Sequence, residues 1–279
     1  MSELGNKYLF DLNGRVAVIT GGAGLLGLEY ARMLAEYGAN IVLVDLNKEK
    51  CEAQAKELEK AFKRKMLGLK ADITKKEEVQ EVVHKIEVEL GKIDVLINNA
   101  AVVTPADDRG SNFVDFHDYP LDSWEKSLKV NLTGMFLCTQ EVIKSMLKKK
   151  VSGSIINISS TYGLVGPDQS IYSSITRPGT GEKYKKPVDY STTKSAVLNF
   201  TRYLAAYYGG QGIRVNTLTP GGVWDNQSEE FVKEYRKKTP LGRMATNTDY
   251  NGAILFLASD ASAYMTGSNL VVDGGWTCW

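Results

Sequence analysis

Cysteine and histidine are scarce in this chain, and their scarcity closes several functional classes. The 279 residues hold 3 cysteines and 2 histidines. Cys51, Cys138 and Cys278 are odd in number, far apart and in no Cys-x-x-Cys pair. Free thiols in a reducing compartment are therefore expected, and with them a cytoplasmic protein. His84 and His117 lack the spacing of metal ligands, which argues against a transition-metal site. Excess charge of one sign is missing too: 34 basic against 33 acidic side chains leave +1. Nothing in that balance points to nucleic acid or an anionic membrane as partner. No apolar run approaches the roughly 18 residues of a membrane span, and MSELGNKYLFDLNGR has no apolar core of signal-peptide length.

What the chain does have is an alternation. Short β-rich runs are expected at 15–20, 40–45, 66–71, 93–98, 154–159, 214–219 and 269–272. Between them lie helical patterns, including 25–36, 75–90, 123–148, 191–208 and 249–258. The lysines and glutamates interspersed over 48–65 mark another helical stretch with a solvated face. Such alternation predicts an α/β fold, a doubly wound parallel sheet of about seven strands with helices on both faces. There is no internal repeat and no linker, so residues 1–279 read as one domain. Residues 164–188 break the rhythm. They mix Gly, Pro, Ser, Thr and Lys without periodicity, as a long excursion does.

The first strand, RVAVIT, runs into Gly21-Gly22-Ala23-Gly24-Leu25-Leu26-Gly27 and then a helix. Glycine lets the backbone turn tightly and approach a pyrophosphate, whose charge meets the free N–H groups of the helix start. Asp45 ends the second strand, where a carboxylate accepts hydrogen bonds from an adenosine ribose and repels a 2′-phosphate. The next residue is Leu46 rather than an arginine. NAD is thus expected over NADP, with Lys48 the nearby residue that argues the other way.

Six further motifs fall in order along the chain. Asn98-Asn99-Ala100-Ala101 follows the fourth strand, Asn131 lies in a helical stretch, and Ser159-Ser160 closes the fifth strand. Tyr190-Ser191-Thr192-Thr193-Lys194 opens a helix, and Pro220-Gly221-Gly222 and Asp273-Gly274-Gly275 follow the last two strands. Together they resemble the short-chain dehydrogenases/reductases over nearly the whole chain. The resemblance implies Tyr190 and Lys194 as the catalytic pair, Ser160 as the hydroxyl that polarises the reacting oxygen, and Asn131 as a relay residue. It also implies cofactor contacts at Gly21, Gly24, Leu25, Leu26, Gly27, Asp45, Asp72, Ile73, Asn98, Ala100, Lys194, Pro220, Gly222 and Val223. A homotetramer or homodimer acting on a small molecule follows from the same likeness. Two departures stand out. The Gly21-x-x-Gly24-x-x-Gly27 spacing is typical of the extended branch, with its sugar-nucleotide epimerases and dehydratases, and Ala101 replaces a usual glycine. Only 85 residues follow Lys194, too few for that branch's substrate domain, so the compact architecture is expected.

Tyrosine's ordinary pKa near 10 suits proton transfer poorly at neutral pH, and a cation on the same face favours the phenolate. Among 14 tyrosines, Tyr190 alone has lysine four residues later, one helical turn away. Tyr172 is a decoy. It lies 12 residues after Ser160, nearer the family's usual gap than the 30 of Tyr190, but Pro178 disfavours a helix through Arg177. Of the two serines only one can face the site if the strand continues, and the resemblance selects Ser160.

The wide gap makes 164–188 an expected insertion near the active site, one wall of a substrate pocket or else a surface or subunit-contact loop. Asp168, Gln169, Tyr172, Arg177, Lys183, Lys185 and Lys186 suit hydroxyl-rich or phosphorylated ligands, and Trp224, Asn226 and Gln227 could add a stacking face and polar contacts. These segments are similar to bacterial surface-sugar and flagellin-modification oxidoreductases, which favours a carbohydrate. The expectation is hydride transfer between nicotinamide and a secondary alcohol or ketone. The alternatives are an epimerase or dehydratase with bound NAD, or a non-catalytic NAD-binding sensor.

Overall fold

The computed structural model describes residues 8–103, 111–177 and 179–279; the first seven residues and Pro178, on which part of the sequence reading rests, lie outside them. Seven strands form one parallel sheet: β1 (Val16–Thr20), β2 (Asn40–Asp45), β3 (Met66–Lys70), β4 (Val95–Asn98), β5 (Ser154–Ile158), β6 (Arg214–Pro220) and β7 (Asn269–Val272). Their spatial order is β3-β2-β1-β4-β5-β6-β7. The order reverses between β1 and β4, and a crevice opens at the carboxyl ends of the strands at such a switch point.

Continuous apolar runs become strands here because both faces of the sheet are buried. Along β1 and β2 the side chains divide by parity. Ala17, Ile19, Ile41 and Leu43 join one core with Tyr30 and Leu34 of α1 (Leu25–Glu36) and Ile254 and Leu257 of α8 (Asn251–Ala258). Val16, Val18, Val42 and Val44 join a second core with Ile86 of α3 (Lys76–Leu90) and Val142 and Met146 of α5 (Met135–Lys149). Each fully buried aliphatic side chain contributes roughly 1.5–3 kcal/mol by leaving water, so a slip of one residue in register would forfeit both layers at once.

The helical stretch expected over 123–148 is not one α-helix. It runs as α4 (Leu121–Leu128), a π-helical turn (Lys129–Gly134) and α5. Packing explains the extra residue. The Asn131 side chain is occupied by Val102 and Thr193 rather than by solvent. π-turns inside α-helices are frequent at functional sites. The other helices are α2 (Lys48–Phe62), α6 (Val188–Tyr208) and α7 (Glu229–Lys238). α6 begins three residues before its expected start, which puts Tyr190 inside its first turn. Within 164–188 the backbone makes a short 3-10 turn, Gln169–Tyr172, and an isolated antiparallel bridge between Thr176 and Lys183. No described helix is long and apolar enough to cross a membrane, and the described residues hold no cluster of metal-ligating side chains. The three cysteines are free.

Candidate active site

The crevice at the switch point holds a cleft of about 480 Å³. Its rim is the glycine turn, where Gly21 has a φ of +62° and a Cβ there would stand 2.9 Å from the Ala100 Cα. A Cβ at Gly27 would stand 2.3 Å from the Gly21 carbonyl oxygen, so the helix can close on the turn only with glycine at that position. No side chain caps the start of α1. Its first-turn amides therefore remain as donors beside the cleft that Gly24, Leu25 and Leu26 line.

Asp45 stands at the far end of the same cleft, its carboxylate accepting from the Ala23 amide at 3.2 Å. Asp72, Ile73 and Ala100 complete the wall. Asp72 is held by the Thr74 hydroxyl at 2.7 Å, and its amide donates to Glu78 at 2.7 Å. Asn98 does not line the cleft. Its side chain turns into the core, donating to Thr139 at 2.9 Å and Asn157 at 2.8 Å, and the following Asn99 takes the lining position. The reason is parity at the strand end: the residue facing the core cannot also face the ligand.

A second cavity, of about 470 Å³, shares Leu26, Asn99 and Ala101 with the first and contains Ser160, Tyr190 and Lys194. Pro220, the last residue of β6, borders it with Gly222 and Val223, which follow the strand. Lys194 is buried and donates from Nζ to the Ile158 carbonyl at 2.7 Å, with Nζ 5.8 Å from the Tyr190 ring centre. Burial, and then the neighbouring Lys186 cation, push its pKa down to about 8. Burial also pushes the Tyr190 phenol up, and a hydrogen bond with Ser160 only partly offsets this. For the phenol, desolvation outweighs the hydrogen bond with Ser160.

Ser159 donates to the Lys194 carbonyl at 2.7 Å and so holds α6 against β5, while Ser160 faces the cavity. Asn131 is buried and lines neither cavity. Its side chain brackets Val102, accepting from the amide at 2.8 Å and donating to the carbonyl at 3.0 Å. It also donates to the Thr193 hydroxyl at 3.1 Å. Tyr172 is no rival to Tyr190: its hydroxyl pairs with that of Tyr162 at 2.9 Å, in an aromatic cluster that burial keeps protonated.

That cluster is what sequence reading missed. Tyr235 stacks on Trp276 at 4.3 Å between ring centres, and its hydroxyl accepts from the Gly222 amide at 2.6 Å. Tyr162, Tyr184 and Phe231 join the same apolar lining. Trp224, by contrast, is 54% exposed and outside the cavity, whereas Gln227 lines it. The charges of 164–188 mostly face out: Asp168 pairs with Lys238 at 2.5 Å and Arg177 with Glu182 at 3.2 Å. Lys186 turns inward, with Nζ 4.3 Å from the Tyr190 ring centre. One signal was available in the sequence, since Lys186 precedes Tyr190 by the same four residues by which Lys194 follows it.

A family model described as enoyl-(acyl carrier protein) reductase matches residues 22–277. D-threitol dehydrogenase of Mycolicibacterium smegmatis is 34% identical over 99% of this chain and 97% of its own. The chain belongs to the short-chain dehydrogenase/reductase family. Solved structures of the family superpose over nearly the whole chain. The short-chain dehydrogenase of Leptospira borgpetersenii, with bound NAD+, has a TM-score of 0.82 and 31% identity, covering 99% of this chain and 98% of its own. A gluconate 5-dehydrogenase from Burkholderia cenocepacia, in complex with NADP and tartrate, has a TM-score of 0.80 and 32% identity, covering 97% and 98%. The chain is therefore a short-chain oxidoreductase of compact architecture, and its family binds nicotinamide dinucleotides. The glycine cradle, the uncapped helix start and the two adjoining cavities fit such a group. The spacing of Gly21, Gly24 and Gly27, shared with the extended branch, is accommodated within that compact fold.

Proposed function

We propose that this enzyme is an NAD(H)-dependent dehydrogenase interconverting a secondary alcohol and its ketone, on a sugar, polyol or related hydroxylated substrate. The observation that carries the reading is the convergence of Ser160, Tyr190 and Lys194 on one cavity that opens onto the glycine-turn cleft. A bound nicotinamide supplies the hydride acceptor in oxidation and the donor in reduction. In oxidation one hydride and one proton leave the alcohol. The proton goes to the Tyr190 phenolate oxygen, which returns it in the reverse direction. Ser160 holds the reacting oxygen by a hydrogen bond. Lys194, already fixed by the Ile158 carbonyl, supplies positive charge near the phenolate as it forms. Asn131 acts by position, holding the backbone at Val102 and the helix at Thr193 on either side of the site.

Gly21, Gly24, Leu25, Leu26 and Gly27 would hold the pyrophosphate, Asp45 the adenosine ribose, and Asp72, Ile73 and Ala100 the adenine side of the cleft. Pro220, Gly222 and Val223 would flank the nicotinamide. Asp45 supports NAD over NADP because a carboxylate repels a 2′-phosphate. Tyr172, Tyr184 and Lys186 support the reading of 164–188 as a wall of the substrate pocket. Free Cys51, Cys138 and Cys278 fit a cytoplasmic enzyme. Tyr203 and Tyr207, 63% and 61% exposed on α6, offer an apolar surface for a homodimer or homotetramer.

The test is an NAD+-reduction screen over polyols, sugars, sugar acids, sugar phosphates, nucleotide sugars and simple secondary alcohols. NADH appearing in step with one ketone product supports net oxidation. Isomerised product without NADH would point instead to redox-neutral turnover, and no turnover on any of them would point to a binding protein.

A further inference from the structure

Two ammonium groups and no carboxylate line the substrate cavity among the described residues. Among its described lining residues only Lys186 and Lys194 carry charge; the others are hydroxyls, amides, aromatics and aliphatics. Lys194 has its partner in the Ile158 carbonyl. Lys186 has none of that kind. Its Nζ lies over two aromatic faces, 4.3 Å from the centre of the Tyr190 ring and 5.9 Å from that of Tyr162. Among the described residues no carboxylate pairs with it. Asp189, the one acid that acts on it, is already engaged by the Ser127 hydroxyl and the Tyr190 amide.

The backbone of Lys186 is fixed. The side-chain amide of Gln169 donates to the Lys186 carbonyl at 3.2 Å and accepts from its amide at 2.8 Å. A lysine near a surface ordinarily extends its flexible stem until the ammonium reaches water. This one is directed inward beside a second cation, and burial depresses its pKa to about 8. Aromatic faces relieve part of that penalty. An incoming anion would relieve the rest, since an oxyanion gives the ammonium both charge and acceptors.

We infer that Lys186 anchors an anionic group of the substrate, a carboxylate or a phosphate, beside the carbon whose hydroxyl meets Tyr190. The inference deepens the proposed function and rests on its assignment of Tyr190. It replaces the neutral polyol with a hydroxy acid or a phosphorylated polyol as the preferred class. A lysine that served only to tune the Tyr190 phenol would affect charged and neutral substrates alike, and that difference makes the two roles separable.

The experiment compares kcat/KM for gluconate, sorbitol 6-phosphate and sorbitol in the wild type, Lys186→Met and Lys186→Arg. Binding of tartrate and of inorganic phosphate to the NAD+-loaded enzymes is measured by calorimetry alongside. The wild type should prefer one anionic substrate to sorbitol, and which one identifies the carboxylate or the phosphate. Lys186→Met should cut that preference by about tenfold to a hundredfold, mainly through KM, and weaken binding of the matching anion equally; Lys186→Arg should keep most of both. Sorbitol turnover with anion binding and preference unchanged in Lys186→Met would overturn the anchor. Anion binding that is lost in Lys186→Met, in an enzyme that turns over no alcohol, would instead overturn the proposed function and leave the anchor standing.

Discussion

Asn131 and Val102 pair through two hydrogen bonds, one in each direction, so that a side-chain amide on a π-turn takes the place of a neighbouring strand. The pairing fixes the chain just beyond β4, where Ala100, Ala101 and Val102 line the glycine-turn cleft. It also reaches α6 through Thr193, the residue before Lys194.

Replacing Asn131 with alanine removes all three hydrogen bonds and leaves buried backbone groups without partners. The expected loss is roughly 1–3 kcal/mol of stability, together with weaker NAD+ binding. Urea denaturation and dinucleotide titration read the two effects. Unchanged NAD+ affinity in the folded variant would mean that the pairing does not shape the cleft.

Asp45 decides between dinucleotides in this account. The double change Asp45→Ser with Leu46→Arg removes the repulsive carboxylate and adds a cation at an exposed position. NAD+ kcat/KM should fall and NADP+ kcat/KM rise, moving their ratio by about tenfold or more. A wild type that already favours NADP+ would contradict the role given to Asp45.

Lys194 is buried and Lys186 partly buried beside it, and the depressed pKa values of these neighbouring cations carry a stability cost of definite sign. The ordinary lysine value is 10.5 and both are about 8 when folded. Below about 8 both states are protonated and the full cost is present. Between 8 and 10.5 the unfolded chain binds more protons, so stability from this source rises with pH. Lys186→Met should therefore raise Tm at pH 7 by a few degrees, at about 2–4 °C per kcal/mol, and the gain should shrink toward pH 10.5. Asp189 and the faces of Tyr162 and Tyr190 attract the Lys186 ammonium and offset part of the cost, and removing Lys186 also relieves Lys194, whose pKa it helps to lower. A gain independent of pH would contradict the electrostatic origin.

The five inner strands were legible because they are buried on both faces, which leaves apolar runs such as residues 16–19. That Tyr190 and Lys194 share one cavity was legible because their meeting depends on one helical turn, a local spacing. The π-turn was not: one extra residue changes the hydrogen bonding of 129–134 without disturbing the apolar pattern on either side. Nor was the cavity lining, since Tyr162, Tyr184 and Tyr235 come from three separate segments and, with Trp276 stacked behind Tyr235, meet only in the folded chain. The sequence did single out 164–188 and Tyr172 within it, but not which of its polar side chains turn inward. Asp168 and Arg177 found partners at the surface, and Tyr172, Tyr184 and Lys186 took the inner face.

In the proposed mechanism the partly buried Tyr190 carries the proton, and removing its hydroxyl is the most direct test. Tyr190→Phe keeps the ring against Lys186 and deletes only the oxygen that carries the proton. On the alcohol found by the screen, kcat should fall by about 10²–10⁴-fold, with the dissociation constant for NAD+ changed little. A Tyr190→Phe enzyme that retains wild-type kcat would contradict the account.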